Sequence, residues 1–150
     1  MKLLKVITNT PRPVVKKISA KHWILIERYS VLLVTDEGTL SCDMMPGWLT
    51  DFRSGSGVLD VVVPKFGNPI YMAVILCHDF LYSGYVSRLL ADEILYQGIR
   101  LAGYSRWRAS AAYWSVRAGG KWSYYPIEKP LKGIYQHNRL YEKFGWLDKP

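Results

Sequence analysis

The segment from Asn68 to Gly103, NPIYMAVILCHDFLYSGYVSRLLADEILYQGIRLAG, limits the fold more than any other part of the chain. Asn68 has the side chain of a helix N-cap, Pro69 suits the first helical position, and an apolar run continues to His78. Ser83-Gly84-Tyr85 interrupts this pattern, and a second helix is predicted to run to about Gly103, where glycine can end it. The expected unit is a pair of helices folded back on each other.

The fold-back decides which side chains can meet. On one straight rod, His78 and Asp92 would stand about 21 Å apart. Residue 85 is the midpoint between them, so a turn there brings both to one level, with Asp79 and Glu93 close to the same layer. In that layer His78 can act as a general base if Asp92 fixes its tautomer and supports the imidazolium that forms. Tyr82 and Tyr96 lie near enough to donate to either carboxylate. Asp79 points about 100° away around its helix. It is suited instead to a hard cation such as Ca2+, with further oxygens from Asp51 and the 53–57 loop or from Pro64–Gly67. The alternative is structural: a His–Asp cluster that pins the hairpin, with Arg88 pairing one carboxylate. Helix rotation separates the two readings, and residue spacing does not set it.

The chain before this segment is strand-like. Leu3–Ile7 can pair as a short strand, although Pro11 and Pro13 leave residues 1–21 open to being either an edge strand or a basic arm. Trp23–Ile26 and Tyr29–Val34 are β-rich, Asp36-Glu37-Gly38 is a hairpin-type turn, and Pro46-Gly47 is another. Leu49–Phe52 leads to a flexible loop at 53–57, and Val58–Val63 is predicted as a strand. After Gly103, Ser105 can cap a third helix from Arg106 to about Ala118, whose small residues at 109, 111 and 112 permit close packing. Residues 120–150 mix prolines, glycines and aromatics and are expected to wrap the body, with a short helix near Tyr135–Lys143. The expectation is a single α+β domain: a small N-terminal antiparallel sheet packed with a C-terminal helical hairpin and a third helix.

Charge is unevenly placed. Residues 1–21 carry six Lys/Arg and no acid, residues 105–150 nine basic against three acidic, and residues 22–104 five basic against nine acidic. A basic periphery around an acidic centre suits approach to an anionic surface or partner while carboxylates are kept for a metal or for proton transfer; solvated ends are the plain alternative. Cys42 and Cys77 are too few for a disulfide framework and read as buried thiols. No signal peptide is evident, and no apolar run reaches the ~18 residues of a membrane span. HExxH, paired-cysteine, phosphate-loop, GxGxxG and GxSxG patterns are absent. The arginines and aromatics of 106–117 can contact nucleic acid, but no recognised module accompanies them.

Leu49-Thr50-Asp51-Phe52, His78-Asp79-Phe80-Leu81-Tyr82, Arg88 with Ala91-Asp92, Ala112-Tyr113 and Val116-Arg117 together resemble the DUF1353 family, small proteins of undefined function common in phages and prophages. The resemblance implies a phage-encoded protein, found in the host cytoplasm during infection or in the particle, with a phage structural protein among its partners. The chain departs from the family where Arg53-Ser-Gly-Ser-Gly57 follows Phe52, in place of a short Ala-Ser-Val/Ile-Pro run. A narrower likeness, over about 78–96, is to phospholipase A2 of the parvovirus capsid type, which also has H-D-x-x-Y on one helix and A-D on the next. It implies His78 as the base activating water, Asp79 as the calcium carboxylate, Asp92 as the partner of His78 and Tyr82 as a supporting tyrosine. Those enzymes draw carbonyls from a Y-x-G-x-G type loop, and Val63–Asn68 here has one glycine and no such motif. The resulting expectation is a hydrolase acting on a phospholipid or a cell-envelope ester or amide, with Arg88, Glu93 and Tyr96 in support. The alternative is a non-catalytic virion or accessory protein.

Overall fold

The structure, a computed structural model, describes residues 1–19, 22–50, 68–82 and 86–120. Among these, six strands precede three helices: β1 (Leu3–Thr8), β2 (Val15–Lys17), β3 (Trp23–Leu25), β4 (Tyr29–Thr35), β5 (Gly38–Met44), β6 (Leu49–Thr50), α1 (Pro69–Leu81), α2 (Arg88–Leu101) and α3 (Arg106–Gly119). The class is α+β, as the patterning predicts. The strands divide between two antiparallel sheets, ordered β1-β4-β5 and β2-β3-β6. Leu3–Thr8 and Val15–Lys17 thus take the edge-strand alternative expected for this part of the chain. The 53–57 loop, the 58–63 strand, the 83–85 turn and the wrapping tail lie outside the described residues.

Alternation explains the larger sheet. Along β4, Tyr29, Val31, Leu33 and Thr35 are buried, and Cys42 and Met44 of β5 join them. The β4–β5 hairpin closes at Thr35–Gly38, and Gly38 takes a φ of 142° that disfavours any residue with a Cβ. Sheet β1-β4-β5 packs on α1 and α2 through β1 and β5. The Gln97 side chain fastens one edge of this contact: its Oε1 accepts from Leu3 N and its Nε2 donates to the Met1 carbonyl.

Every residue of α1 from Tyr71 to Leu81 is buried, so this is the central rod of the domain. Asn68 caps it, accepting from Ile70 N at 2.9 Å and Tyr71 N at 3.2 Å, while its Nδ2 donates to the Ala102 carbonyl beyond the end of α2. The start of α1 therefore meets the end of α2, which makes the pair antiparallel. The two rods approach closely at Gly98, where a Cβ would lie 2.4 Å from Val74 Cγ1. Gly103 stops α2 as expected. With a φ of 90° it forms a Schellman ending, Gly103 N bonding Arg100 O and Tyr104 N bonding Ile99 O. Ser105 occupies the N-cap position of α3 without a side-chain capping bond. Ala109, Ala112 and Val116 form the buried stripe that lets α3 lie along α2.

Candidate functional site

The fold-back does bring His78 and Asp92 to one level. His78 Nε2 lies 2.9 Å from Asp92 Oδ1, and the two side chains are 1% and 0% exposed. An ionised carboxylate only accepts, so Nε2 carries the proton of this bond, and Nδ1 is the other nitrogen of the ring. Tyr82, one helical turn after His78, sets its ring at a 41° tilt with centroids 4.1 Å apart and donates its hydroxyl to the same Oδ1 at 2.5 Å. Arg117, on α3, donates from Nη1 to Oδ2 at 3.0 Å. Arg88 Nε stands 3.9 Å from Oδ2 and 3.4 Å from the Tyr82 hydroxyl, and its Nη2 donates to the carbonyls of Val116 and Arg117. One carboxylate on α2 thus gathers donors from α1 and α3.

The electrostatics follow from this crowding. Burial pushes the Asp92 carboxyl up, but the hydrogen bonds from His78, Tyr82 and Arg117 outweigh it and hold the group below its ordinary value. Burial raises the Tyr82 phenol, and its bond to Asp92 raises it further against the opposing effect of Arg88. The bond to Asp92 raises the Arg117 guanidinium. Asp92 is therefore ionised at neutral pH, with Tyr82 a firm donor. The end of α3 closes over this hydroxyl: a methyl at Gly120 would sit 2.5 Å from the Tyr82 oxygen.

The other expected site residues separate. Asp79, 8% exposed, turns toward the strands and accepts from the Thr50 hydroxyl at 2.7 Å. Asp51 lies outside the described residues. Calcium needs about six to eight oxygens, and no group of three or more His, Cys, Asp or Glu among the described residues is arranged to hold a metal. The 53–57 loop and Pro64–Gly67, expected to supply oxygens beside Asp79, lie outside the described residues as well. Glu93 leaves the layer: half-buried, it accepts from Gln97 Nε2 at 3.2 Å, one turn along α2. Tyr96 packs edge-on against Tyr113 at 6.2 Å instead of donating to Asp92. Both placements have one cause, the rotation of α2 that sends Asp92 inward and carries Glu93 and Tyr96 toward its flanks.

Arg117 and Thr50 were not among the expected site residues. Nothing local marks Arg117, one of three arginines on α3, because its level opposite Asp92 depends on a helix-to-helix register set by the turn at 102–105. Thr50 precedes Asp51 and the 53–57 loop, one of the two oxygen sources expected for calcium. The sequence signal for each is its place in a motif that resembles the family, Leu49-Thr50-Asp51-Phe52 and Val116-Arg117.

No helix among the described residues is long and apolar enough to cross a membrane. Neither a curated protein nor a solved structure matches the chain. The family described as "Protein of unknown function (DUF1353)" matches residues 23–116, a span that runs from β3 into α3 and contains His78, Tyr82, Arg88 and Asp92. With well over half its length inside that match, the chain belongs to the DUF1353 family.

Proposed function

We propose that the His78–Asp92 cluster is the charged pin of a non-catalytic accessory or virion protein of phage or prophage origin. The observation that carries this reading is burial with saturation: His78 is 1% and Asp92 0% exposed, and both Asp92 oxygens are occupied by donors from two other helices. A base that must take a proton from a substrate or a water needs a path to it, whereas a pin needs only mutual satisfaction. The phage setting rests on the family resemblance alone.

One observation favours a second reading. The Nε2–Asp92 bond, with Tyr82 and Arg117 holding the carboxylate, is also the arrangement that orients an imidazole for proton transfer to Nδ1. On that reading the protein is a hydrolase of phospholipids or of cell-envelope esters or amides. His78→Gln separates the two, since a glutamine amide can keep a donor near Asp92 but cannot act as a base. Folded wild type and folded H78Q are compared for fatty-acid release from phospholipid vesicles and for cleavage of envelope material, each with and without calcium. The pin reading expects no turnover above the H78Q level. Turnover by wild type that is lost in folded H78Q would replace it with the hydrolase reading.

A further inference from the structure

The outward face of α3 has no part in the cluster. Trp107 and Trp114 are 63% and 67% exposed, far beyond what burial-driven folding leaves to so large an apolar side chain. They are seven residues apart, which puts them on one side of the helix about 10.5 Å from each other. Ser110 and Ala111, between them, are too small to fill the gap. The Trp114 ring continues inward through Tyr113 at 5.2 Å to Tyr96, so it stands on a firm aromatic base. Leu101, 40% exposed, ends α2 just before the turn into α3.

The charge along this stretch of the chain has one sign. From Ile94 to Gly120 there is no acidic residue and there are four arginines. Arg117 is committed to Asp92 and Arg100 Nη1 donates to the Tyr104 carbonyl at 2.7 Å, while Arg106 is exposed and Arg108 half-buried beside Trp107. Arg106 and Arg108 flank Trp107 in sequence, and the Arg108 guanidinium lies 5.7 Å from the Trp107 ring centroid. Indole rings with an apolar body and a polar N–H, bordered by arginines whose stems are apolar and whose heads seek phosphate, match the boundary between acyl chains and headgroups. The exposed leucine fits that boundary better than it fits a polynucleotide.

We infer that α3 docks flat on an anionic phospholipid surface, with Trp107 and Trp114 inserted at the headgroup level and Arg106 and Arg108 contacting lipid phosphates. This is surface attachment, and it stands whether or not the buried cluster is catalytic. The test is co-sedimentation of the full chain with phosphatidylglycerol/phosphatidylcholine vesicles against pure phosphatidylcholine vesicles. Binding to the anionic vesicles is expected, weakened by salt and lowered about fivefold for each of Arg106→Gln and Arg108→Gln. Trp107→Ser/Trp114→Ser should abolish it while the circular dichroism stays that of wild type. If these exposed substitutions unfold the chain, Trp107→Tyr/Trp114→Tyr is read instead and should retain a reduced affinity. Failure to bind anionic vesicles, binding unchanged by the folded double variant, or equal binding to phosphatidylcholine would overturn the inference. So would tighter binding to a single-stranded oligonucleotide through the same tryptophans, or a dimer that the double variant converts to monomer.

Discussion

Two aspartates, one in the strands and one in the helices, meet arginine in opposite settings. Asp43 on β5 takes a bidentate grip from Arg28, Nε to Oδ1 at 2.8 Å and Nη2 to Oδ2 at 2.5 Å, with the Ser30 hydroxyl also donating. Both members of that pair are well exposed, at 60% and 38%. Asp92 has a looser arginine contact but no exposure, and its remaining acceptor capacity goes to His78 and Tyr82. Geometry alone would rank the Asp43 pair as the stronger. Solvent reverses the order: water competes for the surface pair, whereas any donor removed from Asp92 leaves a buried charge without a substitute.

The comparison breaks most visibly on deletion of each acid. Asp92→Ala strands two guanidiniums and an imidazole against a cavity, and should lower urea-unfolding stability by about 3–5 kcal/mol. A loss below about 1 kcal/mol would mean that the layer is not an anchor. Acid sharpens the same contrast. The folded-state Asp92 carboxyl titrates below its ordinary value, so its contribution is complete above the unfolded pKa of about 3.9 and disappears as pH falls through the lower folded value. Asp92→Asn, where it folds, should therefore lose less stability than wild type between about pH 4 and pH 2, measured as urea midpoints. Equal acid slopes would show that other carboxylates dominate. Asp43 is also held low, chiefly by its bond to Arg28. Its exposure screens the effect, and Asp43→Ala should cost no more than about 1 kcal/mol.

The two regions also differ in how far the chain announces them. The β4–β5 hairpin, the Asn68 cap, the Gly103 stop and the three helices rest on signals within a few residues of each other, and they are where the local pattern places them. The pairing of His78 with Asp92 was legible for the same reason, since one turn and the helical rise give their common level. The Arg117 contact was not. Arg117 reaches Asp92 across a second helix–helix contact, and a rotation of α3 by one residue would have presented Tyr113 or Arg108 to other surroundings. Division of the strands into two sheets was equally hidden, because β2 and β6 are three and two residues long and are strands by virtue of their partner β3.

Unfolding of His78→Leu beside His78→Gln tests the pin most directly. Leucine fills much of the imidazole volume and gives nothing to Asp92, whereas glutamine can restore a donor. The account predicts that H78L loses at least about 2 kcal/mol and that H78Q recovers most of the difference. An H78L protein as stable as wild type, or more so, would contradict it, because the imidazole would then be retained at the expense of stability, as at sites kept for chemistry.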